Sequence, residues 1–195
     1  MIIRHLSKKG IFFFLIIDIA LVAVAVSVFW RPKANVTSSG ESLNLGHMRI
    51  SSSAFLQDEY IPPAHTCDGR DLSPQLSWDD VPEETRSLVL VVDDPDAPSG
   101  AWTHWTMWNI PPTAKGVEQG GIVTGAVLGT TSAGSAGWHG PCPPFGVHRY
   151  FFKLFALDVR LELPASSSVS ELEQAMVGHI LDKAGLVGRY ERLKQ

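Results

Sequence analysis

The sequence contains no Gly-x-Ser-x-Gly elbow, no His-x-x-x-His or Cys-x-x-Cys pair and no internal repeat. The first absence removes the usual setting of an α/β-hydrolase nucleophile. The second removes the close-spaced ligands of common zinc sites. Cysteine is scarce, with only Cys67 and Cys142 in 195 residues, and a disulfide between them and two buried thiols are equally open. Positive charge is scarce beyond the N-terminus. The first 33 residues hold Arg4, Lys8, Lys9, Arg31 and Lys33 against Asp18, a balance of +4, so the total of −4 leaves −8 for the rest. So acidic a domain argues against nucleic-acid binding, which rests on neutralising phosphates with Lys and Arg.

What is present suits one globular domain with an appendage. Hydrophobic residues make up 45% of the chain and charged residues 18%, which fits neither wholesale disorder nor a multi-span membrane protein. Residues 11–30 form an apolar run about long enough to cross a bilayer, preceded by Arg4, Lys8 and Lys9. The expectation is an N-terminal signal anchor or signal peptide over 1–33, with the anchor preferred. Ala23-Val24-Ala25, the small-x-small triplet, lies inside the apolar run, where cleavage is unusual. A polar linker over 34–46 and a folded domain over 47–195 follow. This predicts an extracytoplasmic domain on the periplasmic side, held at the inner membrane or secreted if cleaved.

Within the domain, Ile61-Pro62-Pro63, Cys67-Asp68-Gly69 and the 94–100 segment separate short apolar runs, the pattern of an antiparallel β-sandwich. Strands are predicted over 49–55, 87–93, 103–110 and 148–157. The continuously apolar 87–93 run should be a central strand buried on both faces. A C-terminal helix is predicted from the Ser170-x-x-Glu173 capping box and the spacing of Leu172, Met176 and Ile180, ended by Gly185 and Gly188.

Two proline-stiffened loops stand beside candidate functional residues. One is Asp93-Asp94-Pro95-Asp96-Ala97-Pro98, leading to His104; the other is Gly140-Pro141-Cys142-Pro143-Pro144, leading to His148-Arg149-Tyr150. Proline fixes φ, so such loops hold carboxylates and backbone N–H groups in place. Strand alternation puts His148 and Tyr150 on the face of Phe152 and Leu154, and His104 on the face of Thr106 and Trp108. Polar groups capping an apolar face form the rim of a ligand pocket.

These segments, with Tyr60-Ile61-Pro62, the 72–78 stretch and Gly178-His179-Ile180, resemble in order and spacing the phosphatidylethanolamine-binding family, in its bacterial Raf kinase inhibitor-like branch. The resemblance implies a mainly β fold, an antiparallel β-sandwich with a C-terminal helix near a shallow pocket for phosphate-like anions or phospholipid head groups. It places Asp94, Asp96, His104, His148 and Tyr150 in that pocket, with Pro98 shaping one loop and Gly140 and Pro141 forming the opposite wall. It implies inhibition of a protease or kinase as a regulatory role, and no turnover, cofactor or metal. The chain departs from the branch at Gly129-Thr130-Thr131-Ser132 and at Trp138-His139, which bears on ligand preference. The competing expectation is a hydrolase with an Asp/His site and a Ser or Cys nucleophile.

Overall fold

Ser87–Asp94 buries nearly every residue because it lies mid-sheet between two cores. The computed structural model describes residues 47–192. Its strands are β1 (Arg49–Ser51), β2 (Leu76–Asp79), β3 (Ser87–Asp94), β4 (Trp102–Ile110), β5 (Gly116–Val117), β6 (Val127–Leu128), β7 (Val147–Leu157) and β8 (Ile180–Glu191). One sheet is three-stranded, in the order β1-β2-β5; the other is five-stranded, in the order β6-β4-β3-β7-β8. All named strand pairings are antiparallel.

The inter-sheet core sets Ile50, Leu76 and Trp78 against Leu88, Leu90, Val92, Phe152 and Leu154. On the opposite face of the large sheet, Val89, Val91 and Trp108 meet Leu161, Leu172 and Met176. Alternate β3 side chains thus enter different cores, each contributing about 1.5–3 kcal/mol by burial. This is the doubly buried central strand that the apolar run predicts.

The last part of the chain departs from expectation. Helix α1 spans Val169–Met176, and its capping box is Ser168 with Glu171, two residues before the predicted pair. Leu172 and Met176 are buried as expected. Ile180 instead opens β8, and Gly185 and Gly188 lie inside that strand. Gly178, at φ +83°, makes the turn between the two. Gly188 fits because a Cβ there would stand 2.5 Å from Ile61 Cγ1. β8 also has the whole length of β7 to pair with, which outweighs helical spacing. At the front of the domain, β1 ends at Ser51, short of the predicted residue 55.

The appendage over 1–33 and the linker over 34–46 lie outside the described residues. Among the described residues, no helix is long and apolar enough to cross a membrane.

Candidate functional site

Where β3 runs out, its last carboxylate organises the following loop. Asp94 Oδ1 accepts a hydrogen bond from the Asp96 N–H at 2.8 Å, the local turn that Asp side chains favour. Asp96 is then gripped by Arg149 on β7, with Nε at 2.8 Å, Nη2 at 2.7 Å and the backbone N–H at 3.0 Å. The guanidinium holds the Asp96 carboxyl below the usual carboxylate range. The second oxygen of Asp94 accepts from His148 Nδ1 at 2.7 Å, with both side chains 5% exposed.

His104 reaches the same place through a bulge. Val92 faces Trp105 but Asp93 faces Thr103, which leaves His104 as an extra residue in β4. The expected common face of His104, Thr106 and Trp108 is therefore corrected. Thr106 and Trp108 both approach Gly129, and Trp108 belongs to the outer core. The His104 ring instead stands edge-on to Tyr150, a residue of the inter-sheet core, at 5.2 Å and 75°. Extra residues of this kind commonly re-aim a side chain beside a site. His104 Nδ1 donates to the His139 carbonyl at 2.5 Å, and the His139 N–H donates to the His104 carbonyl at 3.0 Å. Burial pushes the His104 pKa down, opposed by the His139 carbonyl and by Asp94.

The far wall begins at Gly140, whose N–H donates to Asp71 Oδ1 at 2.8 Å. A Cβ at Gly140 would stand 2.3 Å from that oxygen and 2.6 Å from the His65 carbonyl, so only glycine fits. Cys67 and Cys142 form a disulfide, with Cα atoms 5.4 Å apart. The Cys67 N–H also donates to the Pro141 carbonyl at 3.1 Å. The question left open by the two cysteines is thereby answered, and Cys142 has no free thiol.

Between these walls lies a cavity of about 320 Å³. Of the eight predicted residues, Asp94, Pro98, His104, Gly140 and His148 line it. Asp96, Pro141 and Tyr150 do not: Asp96 faces Arg149 and Pro141 faces Cys67. Tyr150 is fully buried below the imidazoles, its hydroxyl without a hydrogen-bond partner among the described residues. Burial first, then the charges of Asp94 and Asp96, raise the Tyr150 pKa. Trp102 and Ser99, which were not among the expected site residues, also stand on the wall. Trp102 stands two residues before His104, the one signal that could have found it. His139 also lines the cavity, its Nε2 2.7 Å from Ser135 Oγ.

Both imidazoles therefore use Nδ1 as a donor to a fixed oxygen, and Nε2 is the nitrogen each has left. When neutral it accepts a hydrogen bond; when protonated it donates one. Among the described residues no Lys or Arg lines the cavity, so the countercharge these residues can offer an anion there is imidazolium.

The sequence model of the phosphatidylethanolamine-binding protein family matches residues 51–191. The chain belongs to that family. Its family relatives include a UPF0098 protein of Methanothermobacter thermautotrophicus, 49% identical over 74% of this chain and 99% of the relative. A UPF0098 protein of Aquifex aeolicus is 45% identical over 74% of this chain and 89% of the relative. The crystal structure of CT736 from Chlamydia trachomatis, described as a homolog of the family, superposes with a TM-score of 0.72 at 41% identity, over 75% of this chain and 98% of that one. Escherichia coli YbcL, described as a new member of the mammalian family, gives 0.72 at 32% identity, over 76% and 100%. The mainly β family fold with its late helix is thus shown.

The expected transmembrane helix, inner-membrane anchor and periplasmic address are corrected. No described helix is long and apolar enough to span a bilayer. The two solved relatives are matched over 98% and 100% of their lengths by about three quarters of this chain. The apolar run on which the expectation rested lies outside the described residues.

Proposed function

We propose that this family member is a non-catalytic binding protein whose 320 Å³ cavity takes a phosphate-like anion or the phospho-head group of a larger molecule. The observation that carries this reading is the pair of buried imidazoles, His104 and His148, each fixed through Nδ1 and each lining the cavity. A phosphate oxygen placed between them meets a charge-assisted donor once a ring is protonated, and the carboxylate of Asp94 holds the His148 ring in place through Nδ1. The neutral His104 Nε2 accepts from a protonated phosphate oxygen. The family's name supports a phospho-head group. The same cavity accommodates a phosphorylated or acidic side chain of a partner, which is how a binding pocket becomes an inhibitor of a protease or kinase.

The Asp94–His148 pair also resembles the orienting and base members of a hydrolytic site. Against that reading, Cys142 is held in a disulfide. The side-chain partners of His104 and His148 among the described residues are a backbone carbonyl and a carboxylate, with no serine hydroxyl bonded to either ring. Phosphorylethanolamine titrated into the full chain and followed by the imidazole resonances separates the two readings. The expected result is saturable shifts at His104 and His148 with the ligand recovered intact. Release of free phosphate or ethanolamine would favour the hydrolase, and no shift at either ring would sink both.

A further inference from the structure

A second cavity, of about 400 Å³, lies on the large-sheet face turned away from the small sheet and shares no residue with the first. Its origin is a missing side chain. Across β7 and β8, Phe151 faces Val187, Lys153 faces Gly185 and Phe155 faces Lys183. Alternation sends Tyr150, Phe152 and Leu154 into the inter-sheet core and puts Phe151, Lys153 and Phe155 on the other face. Gly185 leaves a gap across from Lys153, with Phe151 and Phe155 on either side of that lysine and Pro95 also in the lining.

The charge on this groove is local and cationic, within a domain whose balance is −8. Lys153 Nζ is tied to Asp93 at 2.6 Å and lies 5.9 Å from the Phe151 ring centre. Lys183 also lines the groove, and among the described residues it forms no ion pair. Two half-buried phenyl rings flanking a gap, with the Lys183 ammonium at the margin and no carboxylate paired with it among the described residues, complement a flat apolar body carrying one negative group. Ring stacking holds the body, and the ammonium selects the charge.

We propose that the Gly185 groove is a second binding site, for a small aromatic carboxylate or sulfonate whose ring lies between Phe151 and Phe155 and whose anionic group meets Lys183. The site is independent of the imidazole cavity and stands or falls without it.

Naphthalene-2-sulfonate titrated calorimetrically into the full chain tests this. Its size sets an expected Kd of about 1 mM or tighter. Gly185→Leu, which fills the gap from a strand position with ordinary φ, is expected to abolish binding. Lys183→Glu is expected to weaken it about fivefold, and saturating inorganic sulfate to leave it unchanged. A thermal melt of each variant checks the fold, and the Lys183→Glu result stands if Gly185→Leu fails to fold. Absence of binding, indifference to both substitutions, or displacement by sulfate would each overturn the proposal.

Discussion

The two oxygens of the Asp94 carboxylate hold two different things, the 94–96 turn and the ring of His148. Asp94→Asn keeps the turn-forming oxygen but sets an amide against a ring N–H if the other oxygen is replaced. The expected cost is about 1–3 kcal/mol in urea unfolding, together with weaker anion binding; an unchanged midpoint would contradict the pairing. His104 gives a pH dependence whose sign follows from its lowered pKa. The unfolded chain, at about 6.5, takes up a proton before the folded one does. His104 therefore contributes most to stability above that value, and the contribution is lost as pH falls from there to the folded pKa. Unfolding curves at about pH 7.5 and about pH 5.5 should show a loss in the wild type and a smaller loss in His104→Asn. An equal loss in both would assign the titration to another group. Little of this was legible beforehand. Strand alternation correctly put His148 above Tyr150, yet it misplaced His104, because one extra residue in β4 reverses a side chain and leaves no mark in composition.

Among the elements, α1 shows how a motif can be real and misregistered. Ser168-x-x-Glu171 and Ser170-x-x-Glu173 both satisfy the capping pattern, and the pattern cannot choose between them. In the folded chain Ser168 and Glu171 exchange the capping hydrogen bonds. Ser168→Ala should accordingly cost about 1 kcal/mol, and Ser170→Ala within about 0.5 kcal/mol of nothing. The reverse order would restore the sequence-based cap. The far wall of the cavity depends on a longer connection, since Cys67 and Cys142 are 75 residues apart. Chain-entropy arithmetic for a loop of that length gives about 4.5 kcal/mol. Reduction, or the double substitution to serine, is expected to lower the melting temperature and weaken anion binding together; reduction that left both unchanged would show the bond to be dispensable. Spacing alone did not reveal this bond, because proximity across 75 residues is a property of the fold.

At the scale of the molecule, the sandwich was readable because β3 is apolar without interruption, which only a strand covered on both faces tolerates. β8 was not, since its two glycines look like helix terminators until β7, Ile61 and Phe55 are in place to use them. The site followed the same division: its loops and most of its wall were visible as motifs, while the roles of Asp96 and Tyr150 depended on Arg149 and on depth. On the proposed function, the cavity of this acidic domain takes its anion through His104 and His148, each fixed by its neighbours, with no lysine or arginine among the described lining residues. Sulfate tests this most directly, because its charge is constant where histidine titrates. Calorimetric titration of sulfate into the full chain between about pH 8 and about pH 5.5 should show affinity rising as pH falls, with proton uptake on binding, and levelling once His104 is protonated in the free protein. Binding should vanish in the His104→Asn, His148→Asn double variant. Affinity independent of pH, or undiminished in the double variant, would contradict the account.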